Sequence, residues 1–133
     1  LLLDCHSFPD KPFAHEDDQG VARPDICLEV SGNTPQWLLR ACKDLFLSRG
    51  YTVELNFPYS GCLVPDRYCG DPRVPAILLE LNRKLYMQNG GTDAYRPGSS
   101  PVKLDTFDSL KNDIWSVVLT LAHEMVCQTD QML

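Results

Sequence analysis

Residues 76–81 (AILLEL) most constrain the fold, because five of their six side chains are apolar. Side chains of a β-strand alternate between the two faces of a sheet, so a nearly continuous apolar run is typical of a strand buried on both faces. Such strands occupy the interior of α/β sheets. The single charge of the run, Glu80, would then be buried. It is either a functional carboxylate or the partner of a neighbouring cation, Arg83 or Lys84.

A strand, a helix and a second strand are predicted before this run. Residues 25–30 and 51–56 are rich in β-branched and other apolar residues, as strands are. Between them, Thr34 and Pro35 are typical of a helix start, and apolar residues then recur every three or four positions as far as Phe46. Because a strand–helix–strand unit crosses over in one hand, the two strands should be parallel neighbours or near neighbours.

The rest of the chain extends this pattern. Residues 1–3 predict a short strand, residues 7–24 a long loop, residues 89–101 a second excursion rich in Gly, Pro and Ser, and residues from 105 onward a long amphipathic helix. The expected fold is α/β, with three layers and a mixed, mostly parallel sheet flanked by helices. Residues 1–133 are interpreted as a single domain. Because the chain opens inside a strand, we expect that domain to be incomplete.

Composition and charge argue against several classes of partner. The net charge is −6 and the chain contains no block of Lys and Arg, whereas nucleic acids and anionic membranes are bound through concentrated basic patches. No apolar run approaches the roughly 20 residues that span a bilayer. We therefore expect a small-molecule ligand rather than nucleic acid or membrane, and the sequence does not define an oligomeric state.

The six cysteines allow two interpretations. An even number of cysteines would suit three disulfides in a small secreted domain. However, Cys27 lies in a predicted strand and Cys42 in a predicted helix, where free cysteines behave as small buried hydrophobes. No Cys-x-x-Cys pair is present. The favoured prediction is six free thiols in a reducing compartment, the cytoplasm.

Three polar motifs follow or interrupt the predicted strands. They are Asp-Cys-His-Ser at residues 4–7, Asn-Phe-Pro-Tyr-Ser-Gly at 56–61 and Glu-Leu-Asn-Arg at 80–83. In open α/β sheets, loops at strand ends converge on a crevice where ligands bind. A neutral imidazole such as that of His6 is the commonest protein ligand for zinc. The motifs therefore predict a shared polar site.

In this order, from Leu3 to Met87, the motifs resemble the N-formylglutamate amidohydrolase family. The family pattern includes Asp-Cys-His-Ser, Gly-Tyr-x-Val-x-x-Asn-x-Pro-Tyr-x-Gly and Glu-Ile-Asn-Arg-x-Leu-Tyr-Met. The resemblance implies a zinc-carboxypeptidase-like (phosphorylase/hydrolase-like) fold. It also implies a zinc-dependent amidohydrolase that removes the acyl group from an N-acyl amino acid such as N-formylglutamate, by metal-activated water.

The same resemblance implies residue roles. His6 would be a ligand of one zinc ion, and Glu80 would be the general base. Asn56, Tyr59 and Arg83 would bind substrate. A guanidinium such as that of Arg83 offers a two-pronged fork to a substrate carboxylate.

Two departures from the family pattern leave an alternative open. The sequence lacks the other expected zinc ligands, since the nearest acidic cluster, residues 15–18, is interpreted as a solvated stretch. Glu29 replaces a small residue of the family, and its charge would disfavour an acidic substrate. The alternative is a catalytically inactive domain, related to the family, that acts as a binding or structural module.

Overall fold

The computed structural model of the chain describes residues 1–90, 98 and 100–130, which contain one four-stranded sheet and two long helices. The strands are β1 (Leu2–Phe8), β2 (Ile26–Glu29), β3 (Val53–Leu55) and β4 (Ala76–Asn82). The helices are α1 (Gln36–Leu47) and α2 (Phe107–Asp130), with single 3-10 turns at Asp66–Tyr68 and Arg83–Leu85. Neither long helix has an apolar stretch suited to crossing a bilayer.

The sheet has the strand order β1-β4-β2-β3 and is mostly parallel. β1 pairs with β4 in parallel, and so does β2 with β3. The central pair, β2 with β4, is antiparallel. The interior position of β4 and the parallel β2–α1–β3 unit confirm the two strongest predictions from the sequence.

Two element boundaries differ from those predictions. β1 is a seven-residue strand that continues through His6 to Phe8, rather than a short strand of leucines. As an edge strand it pairs on one side only, so it tolerates polar residues. Thr34 is not the N-cap of α1. Its hydroxyl instead donates to the Ala76 carbonyl at 2.6 Å and accepts from the Ser31 amide, which leaves Pro35 at the cap.

The hydrophobic core lies between one face of the sheet and both helices. α1 contributes Leu38, Cys42 and Phe46, which are at most 1% exposed. These side chains and those of α2 pack against alternate residues of the central strands. The buried sheet residues of this cluster are Ile26, Leu28, Val53, Ile77 and Leu79. Burial of this apolar face is the main favourable contribution to folding.

The opposite face of the sheet carries the loops rather than helices. The Cys27 thiol contacts the Tyr59 carbonyl at 3.7 Å, and Arg23 lies over the Phe8 ring, so the loops after β1 and β3 cover this face. Two layers are therefore present where three were predicted, within the ranges that the structure describes. Most of the tract at residues 89–101 lies outside those ranges.

Candidate functional site

The register of the sheet places four ionisable side chains on the loop-covered face. His6 is aligned with Glu80, and one step along the strands Asp4 is aligned with Leu78. On the other side of β4, Glu29 is aligned with the same Leu78. Side chains that share a register row, or lie two residues apart on a strand, point to the same face. The sheet thus brings together Asp4, His6, Glu29 and Glu80.

His6 lies between two carboxylates. Its Nε2 is 3.1 Å from Asp4 Oδ1, and its Nδ1 is 3.8 Å from Glu80 Oε1. The His6 side chain is half exposed, whereas the Glu80 side chain is 8% exposed. The predicted proximity of His6 and Glu80 is thus present as a contact between adjacent strands.

Glu80 has a buried oxygen without a partner. Among the described residues, its Oε2 makes no hydrogen bond and is inaccessible to solvent. Burial raises the pKa of the Glu80 carboxyl above its usual value; the positive charges of His6 and Arg83 limit the rise, and Asp4 adds to it. A carboxyl group in this state holds a proton more strongly than an exposed one. Lys84, one of its candidate structural partners, contacts Asp25 at 3.1 Å instead.

Glu29 is the second buried carboxylate of the face, at 3% exposure. Burial, and then the charge of Glu80, raises the pKa of Glu29 to about 6. Beside it, burial raises the pKa of the Cys27 thiol to about 11, so this cysteine is uncharged near neutral pH. A neutral buried thiol is a poor nucleophile and metal ligand.

The substrate-binding residues predicted from the motifs occupy different positions. Asn56 follows β3, and its Oδ1 accepts a hydrogen bond from the Val30 amide at 3.2 Å, which ties it to the end of β2. Arg83 donates to the hydroxyl and carbonyl of Ser7 at 3.1 and 2.9 Å. Since Ser7 is adjacent to His6 on β1, its hydroxyl points to the opposite face of the sheet. The substrate-binding roles of Asn56 and Arg83 remain predictions.

Tyr59 lies on the loop-covered face, against Phe8. The two rings pack edge to face with centroids 6.2 Å apart, and the Tyr59 hydroxyl donates to Glu16. The Arg23 guanidinium lies 5.4 Å from the centroid of the Tyr59 ring. Tyr59 therefore forms a wall above Phe8, two residues along β1 from His6, and its substrate contact also remains a prediction.

Arg23 is an important residue that sequence reasoning missed. Its side chain is fully buried and donates to both oxygens of Asp18, at 2.7 and 2.9 Å, and to Glu16 at 2.8 Å. A further bond at 3.0 Å reaches the Pro9 carbonyl. The acidic stretch at residues 15–18, interpreted as solvated, thus includes two carboxylates that neutralise a buried cation. The only signal in the sequence is a lone Arg after an acidic run.

A zinc site is incomplete in this part of the chain. Catalytic zinc takes three protein ligands, usually His, Cys, Asp or Glu. The described residues contain no group of three such side chains arranged to hold a metal ion. Moreover, each nitrogen of His6 faces a carboxylate. The residues present therefore do not fit a complete zinc site on their own.

Two clefts border the loop-covered face. One, of about 530 Å³, has Asp4 and the segment at residues 63–66 on its walls. The other, of about 540 Å³, lies between the acidic loop and Tyr59. Both are large enough for an amino-acid derivative. A third, apolar groove of about 520 Å³ lies beside α2, on the far side of the sheet. Of the four ionisable residues, only Asp4 lines any of these three spaces.

Comparison with known proteins adds a family and a fold. The model of the N-formylglutamate amidohydrolase family matches residues 1–87, which include every predicted site residue. A crystal structure described as N-formylglutamate amidohydrolase from Ralstonia eutropha superposes with a TM-score of 0.75 at 22% sequence identity. The superposition covers 95% of this chain and 43% of the other, so the chain spans less than half the length of that protein. No curated protein sequence matches the chain significantly.

Proposed function

Because the chain belongs to the N-formylglutamate amidohydrolase family, we propose that it forms part of an enzyme that hydrolyses the amide bond of an N-acyl amino acid. One observation carries this proposal. His6 and Glu80 face each other at 3.8 Å on the loop-covered face, and the second oxygen of Glu80 has no partner among the described residues. A buried carboxylate with a spare oxygen can accept a proton from a water molecule.

Glu80 acts as the general base in this proposal. It takes a proton from water as the water oxygen bonds to the acyl carbon, and it then passes that proton to the departing nitrogen as the C–N bond breaks. Its raised pKa favours both transfers, because this pKa lies closer to neutral pH than the pKa of an exposed glutamate does. The products are a carboxylic acid and a free amino acid.

One zinc ion is part of the proposal as the expected cofactor, with His6 as a ligand. When bound, zinc supplies a water molecule whose pKa is lowered to about 7. The other ligands are left open in this proposal, because the described residues contain no complete donor group. The roles proposed for Glu80 and for the pocket walls do not depend on which residues those are.

Tyr59, Asn56 and Arg83 shape the pocket in this proposal. The Tyr59 hydroxyl donates to Glu16 and the Arg23 guanidinium lies against its ring, contacts that hold the ring against Phe8. Asn56 links the loop that carries Tyr59 to the end of β2. Arg83 is expected to bind a substrate carboxylate, and its positive charge also acts on Glu80.

The test uses the protein that contains this chain and a panel of N-formyl amino acids. We expect Glu80→Gln to lower kcat at least 100-fold with a smaller change in KM, since the general base acts mainly in the transition state. Glu124→Gln is the matched control, because Glu124 lies on α2, which packs on the opposite face of the sheet. His6→Ala should lower the zinc content measured by mass spectrometry.

An inactive binding or structural module is the alternative, and the incomplete metal group favours it. If the wild-type protein contains zinc and hydrolyses N-formyl amino acids, the alternative is eliminated. If Glu80→Gln and wild-type protein have equal rates, the assignment of the base is wrong. A protein that binds these compounds without hydrolysing them would support the module.

A further inference from the structure

Glu29 and Glu80 form a pair of buried carboxylates. Among the described residues, the one counter-ion in direct contact with the pair is His6, whose Nδ1 lies 3.8 Å from Glu80 Oε1. Glu29 is 97% buried, since its exposure is 3%, and its side chain makes no hydrogen bond or ion pair with the other described residues. The unpartnered Oε2 of Glu80 lies on the same face. With Asp4 this face carries three acidic groups around one imidazole.

The strand that neighbours Glu29 does not supply a charged partner for its carboxylate. Glu29 is the last residue of β2, and its register partner is the apolar Leu78. Burying a carboxylate without a partner destabilises a fold, and an apolar residue of similar size would be tolerated there at less cost. The Glu29 carboxylate lowers the stability of the fold and lies on the face that holds the candidate site, so contact with a ligand best explains its presence.

We propose that Glu29 determines the charge preference of the substrate pocket, so that N-acyl amino acids with a cationic side chain are preferred over neutral ones and acidic ones are disfavoured. This inference rests on the proposed hydrolysis at Glu80. A cationic side chain supplies the counter-charge that Glu29 lacks, whereas a second carboxylate on the substrate is repelled by Glu29 and by its neighbour Glu80. The preferred substrate therefore differs from the acidic compound for which the family is named.

The experiment compares kcat/KM for N-formyl-lysine, N-formyl-norleucine and N-formylglutamate, using the protein that contains this chain. For the wild type we expect the lysine derivative to exceed the glutamate derivative at least tenfold. Glu29→Gln should reduce that ratio at least tenfold, equivalent to about 1.4 kcal/mol, and the rate with the neutral substrate serves as the reference for both variants. Glu54→Gln is the matched control, since Glu54 is an exposed carboxylate on the neighbouring strand β3.

Three results would overturn the inference. The first is a wild type that prefers N-formylglutamate, and the second is a preference that Glu29→Gln leaves unchanged. The third is loss of zinc from Glu29→Gln, measured by mass spectrometry, because Glu29 would then hold the metal rather than the substrate. Circular dichroism checks that the variant is folded, which we expect because the substitution removes a buried charge.

A second arm separates this inference from the proposed function. If the wild type hydrolyses none of the three compounds, the proposed hydrolysis fails, and calorimetric titration with the same compounds then tests the charge preference alone. Tighter binding of the lysine derivative that is lost in Glu29→Gln supports the role of Glu29. Equal binding by wild type and variant refutes it.

Discussion

Replacing Arg23 with methionine should destabilise the protein by about 3 kcal/mol, because it removes the only cation that neutralises Glu16 and Asp18 in the described network. Arg23 makes four hydrogen bonds there, three of them to carboxylate oxygens. Breaking a buried ion pair by removing one partner costs about 3–5 kcal/mol, since the other charge stays behind. We expect the lower end of this range, because the side chains of Glu16 and Asp18 are 14% and 12% exposed and can recruit some water.

Urea denaturation followed by circular dichroism measures this loss. With a slope of about 2 kcal/mol per molar urea, about 3 kcal/mol shifts the midpoint by about 1.5 M. Arg73→Met is the matched control. Arg73 also contacts a carboxylate at 2.7 Å, that of Asp71, but its side chain is 87% exposed. Exposed pairs of this kind contribute little, so the midpoint should not change measurably.

A triple variant tests whether uncompensated charge causes the loss of stability. If the cost comes from uncompensated charge, adding Glu16→Gln and Asp18→Asn to Arg23→Met should recover much of the lost stability. If Arg23→Met shifts the midpoint by less than about 0.3 M at unchanged slope, or if the triple variant is less stable than the single one, the buried network does not stabilise the loop as argued.

Two other predictions concern the loops around the sheet. The hydrogen bond from Arg23 lowers the pKa of the Asp18 carboxyl. The stabilisation by Asp18 is therefore complete above its unfolded-state pKa of about 4, and it is lost as the pH falls through the lower folded-state pKa. Asp18→Asn should therefore reduce stability at pH 7 but have a smaller effect at pH 2–3; equal losses at both pH values would contradict this. Asn33→Ala should lower the free energy of unfolding, measured by heat or urea, by about 3 kcal/mol. The reason is that the buried Asn33 amide donates to the carbonyls of Tyr68 and Val74 at 2.8 and 3.0 Å and accepts from the Gly70 amide at 2.7 Å. A loss below 1 kcal/mol would show that the loop at residues 68–74 is held by other contacts.

The elements that the sequence predicts well are those whose environment is uniform along the element. β4 lies between two strands and has six of seven residues buried, so its apolar run is nearly continuous. α1 packs one stripe on the sheet, and its buried residues Leu38, Cys42 and Phe46 recur at the helical period. The family match over residues 1–87 likewise agrees with the order of motifs from Leu3 to Met87.

The elements that it predicts poorly depend on contacts between distant segments. The length of β1 could not be read from its own residues, since an edge strand alternates polar and apolar side chains only weakly. The antiparallel pairing of β2 with β4 joins residues about 50 positions apart, and no local periodicity encodes its direction. That pairing is what places Cys27 beside Glu80 and brings Glu29 onto the same face.

The role of Arg23 was hidden for a similar reason. Nothing in a proline-rich loop distinguishes a buried arginine from a solvated one, because the difference lies in whether Glu16 and Asp18 fold back onto it. Conversely, Thr34 has the local signature of a helix cap, but the competing carbonyl of Ala76 captures its hydroxyl. Both outcomes were decided by long-range hydrogen bonds that only the folded chain defines.

The contrast between two charged clusters on the same face of the sheet supports a functional interpretation of the second. In the first cluster, buried Arg23 is matched by Glu16 and Asp18, and each carboxylate receives a short hydrogen bond. In the second, Oε2 of Glu80 is enclosed without a partner, and the Glu29 side chain makes no hydrogen bond with the described residues. The buried charges that stabilise the loops of this chain are paired with one another. Glu29 and Glu80 are not, so they are more consistent with groups that bind a cation or a proton from outside the fold.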